Sequence, residues 1–553
     1  MVGCRLTGPA QSRGDRHRSF DIQKLQVGQT GQVHQAGNEA MSLAQTMTPR
    51  ATPAQQDPGA ESAISGSGPS VATRFASAGP AIAAIFAAGL VLRLAVSGGP
   101  LWIDEIWSIM NLDPISPFWR IFWGISHDNN HFANSLWLYF ATSFSQNPTW
   151  LRAPSILAGA LAIPAMARLG ARHSPAAAVA GAALIALSFF FLNYSVEARG
   201  YATASLALMV AFDALERAID RPDSSARYVL AAATGLGLFC HFAIGPAIAI
   251  FALIGSCEIW RRHRDVRLAI AQTFQIFWPA ALATLPVIGS VVAGYFVMGG
   301  FTIGGIKAYT DAAAIAGMAK MALLVLGLPE TPATVAFVVL AAPLGIVGAL
   351  SSGLVSKQRR IAFAVTLVVL PALVFIPRPP NTNIPRYYFV SAVFLVLLIA
   401  ECFGALWRDG GWRRWVAAAA LAAMLGGAAV QARIYQAGKS PAWPNALATI
   451  LASGQLRVGG LYDRNVHAHV DFFNRTHRPP IELVAPEQLC ACPPQWFIAG
   501  ISHSYEPPPE RLDIPGENCA LTYNLTATYG APGLSQTPWA LYRAPADSSP
   551  SLR

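Results

Sequence analysis

The sequence predicts an α-helical protein that crosses a membrane many times and ends in a small extracytoplasmic α/β or β-containing domain. Of its 553 residues, 53% are hydrophobic and only 12% are charged, whereas about 25% are charged in a typical soluble protein. Apolar stretches of roughly 17–25 residues, each long enough to span a bilayer as a helix, recur from Gly79 onward. The tail after Gln431 is polar, with short alternating runs that predict the final domain.

The first segment of the chain differs from the rest. Residues 1–77 are rich in Gly, Ser, Gln, Thr and Pro and show no apolar periodicity, which predicts disorder. They contain no apolar core of a signal peptide, and Met41 or Met47 is an alternative start. We therefore predict three regions: a disordered segment over 1–77, a membrane domain over 78–432 and an extracytoplasmic domain over 433–553.

Basic residues set the predicted orientation. The net charge of +10 comes mainly from short loops between apolar stretches, which is typical of membrane orientation and not of nucleic-acid binding. If all basic clusters face the cytoplasm, an even number of crossings separates each pair, so the N-terminus lies inside and the tail outside. The five clusters are Arg168/Arg172/His173, Arg217/Arg221/Arg227, Arg261/Arg262/Arg264/Arg267, Lys357/Arg359/Arg360 and Arg408/Arg413/Arg414.

This rule predicts about eleven spans. Two further apolar stretches, Phe132–Phe144 and Ala312–Leu328, would break the rule as crossings, so we predict helices at the outer interface there. A count of about thirteen spans is the alternative. The predicted spans are Gly79–Val96, Pro154–Arg168, Pro175–Asn193, Tyr201–Leu215, two short helices that turn near Phe239–Pro246, Leu268–Tyr295, Pro332–Leu354, Ile361–Ile376, Tyr387–Leu406 and Trp415–Val430.

Cysteines also divide between the two compartments. Cys490, Cys492 and Cys519 lie in the predicted outer domain, where an oxidising environment permits a disulfide. We expect Cys519 to pair with Cys490 or Cys492, which leaves one of the three over. The other cysteines within the membrane domain are expected to be packing residues.

Two charged clusters lie beside the membrane spans on the predicted outer side. They are Trp102-Ile103-Asp104-Glu105 and Tyr194-Ser195-Val196-Glu197-Ala198-Arg199-Gly200-Tyr201. Charged groups next to hydrocarbon are costly and usually functional. A carboxylate and a guanidinium facing each other there indicate chemistry on a phosphate-bearing lipid.

Five motifs in order resemble those of the GT-C glycosyltransferases, over residues 79 to about 406. Trp102-Ile103-Asp104-Glu105 is similar to the acidic pair that opens the first outer loop of that family. The nearest branches are the protein O-mannosyltransferases, the aminoarabinose transferases and the lipopolysaccharide galacturonosyltransferases. Phe132-Ala133 stands where the family has two prolines, and the tail matches no family pattern. The other four motifs are His131…Leu136-Trp137-Leu138-Tyr139, Leu151-Arg152-Ala153-Pro154-Ser155…Gly159, Tyr194-Ser195-x-Glu197-Ala198-Arg199-x-Tyr201 and Pro385-Arg386-Tyr387.

The resemblance implies a reaction and a set of residues. A hexose or pentose would move with inversion from a polyprenyl-phosphate donor to an envelope lipid, glycan or protein, in the inner (plasma) membrane and on its extracytoplasmic face. Asp104, with Glu105 beside it, would be catalytic, with Asp104 the base. Arginine binds phosphate oxygens in pairs, which suits Arg199 and Arg386 to the donor phosphate. The remaining predicted substrate contacts are His131, Glu197, Tyr201 and Tyr387.

Each of these assignments has a structural alternative. Asp104 and Glu105 would otherwise be a charge pair at a helix N-terminus, and Glu197 would form an ion pair with Arg199. Arg386 would be an interfacial anchor beside aromatic belt residues. For the whole protein, the alternatives are a polyprenyl-lipid or glycolipid transporter or flippase, and a homologue that binds lipid without catalysis. We find no internal repeat, and the charges cluster at one face, which favours an enzyme over a transporter.

A divalent metal ion is the only cofactor that the sequence suggests. In His127-Asp128-Asn129-Asn130-His131 two histidines are four residues apart, which on a helix would place them on one face. The candidate ligands are Asp104, His127 and His131. The run has the composition of a loop, so contacts of His131 with the sugar or the acceptor are the preferred interpretation.

Overall fold

The computed structural model describes residues 69–222, 224–303, 308–438, 442–460, 464–500, 507–515, 519–530, 538–545 and 551–552. Twenty α-helices lie within these ranges. They are α1 (Val71–Ser77), α2 (Gly79–Val96), α3 (Ile103–Met110), α4 (Phe132–Ala141), α5 (Pro148–Leu151), α6 (Ala153–Ala171), α7 (Pro175–Leu187), α8 (Phe189–Tyr194), α9 (Tyr201–Asp220), α10 (Ala226–Cys240), α11 (Gly245–His263), α12 (Val266–Met298), α13 (Asp311–Leu326), α14 (Pro332–Ser351), α15 (Arg360–Ala364), α16 (Leu370–Leu373), α17 (Phe389–Asp409), α18 (Gly411–Gly438), α19 (Ala442–Ala452) and α20 (Arg464–Asn474).

A helix corresponds to each predicted span. Seven helical segments of the described chain are long and apolar enough to cross a membrane, and three shorter apolar helices lie between them. α9 is 20 residues long, but its C-terminal half carries charged side chains. Helices also form at both positions predicted for the outer interface, α4 and α13. The chain is therefore a multi-pass helical membrane protein.

The segment predicted to be disordered is helical at its end. Residues 71–77 form α1, and the Ser70 side chain caps it by accepting from Thr73 N at 3.1 Å. Arg74 anchors the helix, because its Nη1 donates to Arg172 O at 2.9 Å. The prediction of disorder is therefore wrong for 71–77, where one polar cap and one tertiary contact order a short helix. Residues 1–68 lie outside the described residues.

The predicted span Pro175–Asn193 is broken at Ser188, where α7 ends and α8 begins. A break within hydrocarbon exposes carbonyl groups that need donors. Arg93 of α2, fully buried, supplies them: its Nη2 donates to Ile185 O at 2.9 Å and its Nη1 to Ala186 O at 3.2 Å. The sequence analysis did not identify this arginine. The second half of the predicted span is therefore a separate short helix, α8, which precedes the loop before α9.

All five basic clusters meet at one end of the helical domain. Acidic side chains of α9, which the sequence analysis did not consider, join them. Asp213 contacts Arg168, Arg172 and Arg217, Glu216 contacts Arg172 and Arg359, Asp220 contacts Arg262, and Arg408 contacts His173. An even number of crossings between the clusters, as the charge rule requires, is consistent with this arrangement.

The C-terminal domain is a mixed sheet with two helices, as predicted for an α/β domain. The strands are β1 (Arg457–Gly460), β2 (Glu482–Leu483), β3 (Trp496–Gly500), β4 (Arg511–Pro515), β5 (Cys519–Tyr529), β6 (Trp539–Arg543) and β7 (Ser551–Leu552). Their order is β2-β1-β3-β6-β5-β4, with β7 paired to β5. β1 is parallel to β2 and β3, and the other pairs are antiparallel. Apolar residues of α19 pack against β1, β3 and β6 and form the core.

The predicted disulfide forms between Cys490 and Cys519. It closes a loop of 29 residues that joins β5 to the turn before β3. Cys492 is disulfide-bonded as well. All three cysteines are therefore oxidised, and the expectation that one of them is left over is wrong.

Acid is expected to destabilise the C-terminal domain through His469. This side chain is 4% exposed, packs against the rings of Trp443 and Trp539, and donates from Nδ1 to Asn465 O at 2.6 Å. Burial lowers the pKa of His469 from its ordinary 6.5 to about 4. Between pH 6.5 and about 4, His469 is therefore protonated in the unfolded chain but neutral in the folded domain. The free energy of unfolding falls as the pH is lowered through this range.

The expected loss is up to about 3 kcal/mol of unfolding free energy. Urea unfolding of the full chain between pH 7 and pH 4, followed by near-ultraviolet circular dichroism, measures it. His469→Gln removes the titrating group and should flatten this dependence. An unchanged slope in that variant would contradict the assignment.

Candidate active site

Asp104 lies between two arginines that the sequence places far away. Its Oδ2 accepts from Arg199 Nη1 and from Arg386 Nη2, the latter at 3.0 Å. Arg199 follows Asp104 by 95 residues and Arg386 follows it by 282. The side chain of Asp104 is 26% exposed, whereas those of Arg199 and Arg386 are 5% and 11% exposed. The structure therefore assembles the predicted base and both predicted phosphate ligands at one place, with only the carboxylate substantially open to solvent.

Both arginine contacts use the same oxygen of Asp104. Within the described part of the chain, no donor contacts Oδ1. The peptide carbonyl of Asp104 is also held, because Ser108 Oγ and Asn129 Nδ2 donate to it at 2.8 and 2.7 Å. The arrangement anchors one carboxylate oxygen and leaves the other available to a hydroxyl group.

Glu105 has a different environment from Asp104. It is fully buried, and Arg152 donates to both of its oxygens, from Nε at 2.8 Å and from Nη2 at 2.6 Å. The backbone nitrogens of Ala198 and Trp102 also donate to it, at 2.6 and 3.0 Å. With four donors on two oxygens, Glu105 ties α3 to α6 and to the loop before α9.

The loop 195–200, which carries Arg199, is held at nearly every residue. Asn134 Nδ2 donates to Ala198 O at 2.7 Å, and Ser155 Oγ donates to Arg199 O at 2.8 Å. Gly200 closes the loop against the end of α10, where a Cβ would come within 1.9 Å of Cys240 O. A larger residue at this position would push the loop away from α10. The loop therefore presents Arg199 on a rigid backbone.

Two aromatic rings enclose both guanidinium groups. The Cζ atoms of Arg199 and Arg386 lie 5.6 and 5.2 Å from the Trp102 ring centre, and 5.2 and 5.8 Å from that of Tyr201. The quadrupole of an aromatic face attracts a cation at this distance. The ring of Tyr387, a residue that is 37% exposed, has its centre 5.8 Å from Arg386 Cζ. These rings hold two like charges side by side at the site.

His131 completes the cluster from α4. It is 1% exposed, and its Nε2 lies 3.2 Å from Arg199 Nη2. A guanidinium has only donors, so this nitrogen accepts and the proton is on Nδ1. Burial, with His241 and Arg199 nearby, holds the pKa of His131 well below its usual range. The histidine is therefore neutral and fixes the orientation of Arg199.

Several side chains of this cluster carry buried N–H groups without an acceptor. A buried donor that lacks a partner costs roughly 1–3 kcal/mol, so such groups call for an explanation. Within the described residues four of them belong to side chains already placed at the site. They are Trp102 Nε1, His131 Nδ1, Arg199 Nε and Arg386 Nε. The cluster therefore has an excess of donors, which a ligand rich in oxygen would satisfy.

The structure also locates the remaining predicted residues. Glu197 is 1% exposed and accepts from Asn193 Nδ2 at 3.1 Å, while the carboxylate that pairs with Arg199 is Asp104. The ring of Tyr201 faces the guanidinium groups of Arg199 and Arg386. Arg386 is not a surface anchor but a buried member of the cluster.

The candidate metal ligands Asp104, His127 and His131 each have another partner in the structure. His127 Nδ1 accepts from Asn129 N at 3.0 Å and lies 2.9 Å from Asp128. His131 and Asp104 both face guanidinium groups, which repel a cation. No group of three or more His, Cys, Asp or Glu side chains within the described residues is placed to hold a metal. We derive no step through a metal ion.

The C-terminal domain holds the helix that carries Asp104. α20 packs along α3, and Trp443 Nε1 donates to Leu101 O at 2.9 Å, just before that helix. Arg475 pairs with Asp113 at 2.6 Å on its other side. The sequence analysis assigned no role to the tail. These contacts give the domain a structural role at the site, because they fix both ends of the α3 region.

Three solved proteins resemble the chain. Arabinofuranosyltransferase AftD from Mycobacteria covers 84% of this chain at 14% identity with a TM-score of 0.44, and the chain spans 40% of that protein's length. ArnT from Cupriavidus metallidurans, also solved bound to undecaprenyl phosphate, covers 77% at 13% identity with a TM-score of 0.38, and the chain spans 93% of it.

The Archaeoglobus fulgidus oligosaccharyltransferase covers 73% of the chain at 15% identity with a TM-score of 0.35, and the chain spans 60% of it. No protein-family model matches the sequence, and no curated protein does. At these identities and TM-scores the comparison shows a similarity of fold and nothing about function.

Proposed function

We propose that the chain is a membrane glycosyltransferase with a GT-C-like architecture, which moves a sugar from a polyprenyl-phosphate donor to a hydroxyl acceptor on the extracytoplasmic side. One observation carries the proposal: an open carboxylate, Asp104, shares a single oxygen between two buried arginines amid an excess of unsatisfied N–H donors. A phosphate offers oxygen atoms to such donors. A carboxylate with one free oxygen suits a base.

The reaction that this arrangement supports is a single displacement. Asp104 Oδ1 takes the proton of the acceptor hydroxyl while that oxygen bonds to the anomeric carbon of the sugar. The bond from the anomeric carbon to the phosphate oxygen breaks, and polyprenyl phosphate leaves with the electron pair. Arg199 and Arg386 stabilise the negative charge that grows on the phosphate. Attack from the face opposite the leaving group inverts the anomeric configuration.

The position of the cluster supports a lipid-borne donor. Arg199 lies just before α9 and Arg386 just before α17, whereas the basic clusters gather at the far ends of the same helices. If those clusters face the cytoplasm, the site lies at the outer end of the bundle. A lipid phosphate at that interface would meet two arginines beside hydrocarbon, without having to leave the membrane.

A transfer assay with the purified full chain tests the proposal. The protein in lipid nanodiscs is incubated with undecaprenyl phosphates that carry a hexose or a pentose, and the release of undecaprenyl phosphate is measured. Release that depends on an added hydroxyl acceptor, with an inverted product by nuclear magnetic resonance, is the expected result. Retained configuration, or no turnover with any donor of this class, would contradict the mechanism.

Lysine in place of either arginine is expected to weaken donor use. Arg199→Lys and Arg386→Lys keep the charge but lose the fork that binds two phosphate oxygens. We expect the donor KM to rise about tenfold or more, as for loss of a hydrogen bond between charged groups. The matched control is Arg511→Lys, which changes an exposed arginine of β4 that pairs with Asp513.

Thermal stability separates binding from folding in these variants. The loss of donor use should exceed what a small shift of the melting temperature explains. If both lysine variants keep the parental KM, the arginines are structural and the phosphate assignment fails. The structure pairs Arg199 with Asp104, so in double-mutant cycles Arg199 should couple more strongly to Asp104 than to Glu197.

One feature of the structure, the broken helix at Ser188, is also found in transporters. Transporters place broken helices around a midplane binding site, where freed backbone groups contact the substrate. Here Arg93 occupies the carbonyl groups of Ile185 and Ala186. The break is therefore satisfied within the protein, and the open charged cluster lies at the helix ends. This favours transfer over transport.

A further inference from the structure

His241 is a buried polar residue that the proposed reaction does not use. It ends α10 and begins the turn Phe242–Ile244, and it is 6% exposed. The structure brings it against the loop 195–200, because Gly200 contacts the carbonyl of the preceding residue, Cys240.

Its ring supports two members of the site. The centres of the His241 and His131 rings are 4.2 Å apart with an interplanar angle of 29°, so the rings stack. The Tyr201 ring lies 4.2 Å away on a tilted plane. His131 and Tyr201 in turn contact Arg199, through the 3.2 Å contact of Nε2 and through the ring face. His241 thus contacts both groups that orient the same guanidinium.

The backbone fixes the ring of His241. Its Nδ1 accepts from Ala243 N at 3.1 Å, so the proton is on Nε2. A ring held by its own turn cannot rotate without losing that bond. His131 and Tyr201 therefore pack against a rigid ring. A site needs such support when its geometry must be kept within a fraction of an ångström.

We propose that His241 is a positioning residue, which holds His131 and Tyr201 so that Arg199 stays directed at the phosphate subsite. This rests on the proposed function in one respect, that the ligand of Arg199 is a lipid phosphate. The contribution comes from the ring plane of His241, not from its N–H group. Phenylalanine, which keeps the plane, should therefore replace it far better than alanine.

Binding and turnover of the full chain test this. We expect His241→Ala to raise the dissociation constant for undecaprenyl phosphate about tenfold, with kcat at saturating donor within about threefold, and His241→Phe to stay near the parent in both. The control is Phe251→Ala in α11, a buried ring that packs against Phe212 and Phe394 away from the site. It should lower the melting temperature without changing donor affinity.

Two results overturn the proposal. If His241→Ala binds undecaprenyl phosphate as the parent does, the residue only fills space. If His241→Phe is as weak as His241→Ala, the N–H group acts and the ring plane does not.

A measurement without ligand separates this proposal from the proposed function. Nitrogen-15 spectra of histidine-labelled protein report the tautomer of each imidazole, and His131→Phe identifies the signals of that residue. We expect His131 to be the single Nδ1–H tautomer in the parent and in His241→Phe, and a mixture in His241→Ala. If the parent protein binds no polyprenyl phosphate but His131 shows the expected tautomers, only the proposed function is contradicted. If the tautomer of His131 is unchanged in His241→Ala, only the positioning role is contradicted.

Discussion

Replacing Asp104 with Asn is expected to lower sugar transfer on the order of 100-fold or more while the protein stays folded. Asparagine keeps the shape of the side chain and an oxygen that accepts from Arg199 and Arg386, so the cluster remains assembled. It cannot take the proton of an acceptor hydroxyl. The loss should therefore appear in kcat and in kcat/KM together, because the missing interaction belongs to the transition state.

The comparison uses an exposed acidic residue of the C-terminal sheet. Asp513→Asn changes a carboxylate of β4 that is 60% exposed and pairs with Arg511, so its turnover should equal that of the parent. The measurement is the initial rate of undecaprenyl phosphate release, compared between the parent, Asp104→Asn and the control variant with one donor preparation. Near-parental turnover of Asp104→Asn would remove this residue from the mechanism.

Truncating Glu105 is expected to cost about 3–5 kcal/mol of stability, because it leaves a buried arginine without its counter-charge. The side chains of Arg152 and Glu105 are 2% and 0% exposed, and two charge-assisted hydrogen bonds join them. The alanine variant also leaves Ala198 N without its acceptor. The loop with Arg199 should loosen, so transfer falls together with stability.

A double variant distinguishes this position from a catalytic one. Removing both charges with Glu105→Ala and Arg152→Met takes away the uncompensated cation, and part of the stability should return. Denaturant unfolding of both single variants and the double variant measures the coupling. If Glu105→Ala folds like the parent but has lost transfer, Glu105 is a chemical participant after all.

These two experiments separate residues that the sequence presents as equals. The acidic pair was predicted to be catalytic as a unit, with Asp104 as the base. Adjacent residues of a helix point in different directions. In α3 this leaves Asp104 partly open and turns Glu105 toward α6. We therefore propose chemistry for the first and positioning for the second.

The sequence by itself determined the helices, their order and the common end of the basic clusters. Hydrophobic length and the distribution of arginine are local properties, and each predicted span has a helix in the structure. The motifs also identified Asp104, Arg199 and Arg386. Local sequence patterns predict the type of secondary structure and the residue types that could take part in catalysis.

Only the tertiary structure decided which groups meet. Asp104 and Arg386 are 282 residues apart, and no local pattern states that they share an oxygen with Arg199. The break at Ser188 was equally hidden, because its segment is continuously apolar and the donor that satisfies it, Arg93, comes from another helix. The contacts of His241 also come from elsewhere in the chain, because His131 and Tyr201 lie at the starts of α4 and α9. A side chain's role depends on its neighbours in space, and these are set by packing between elements far apart in the chain.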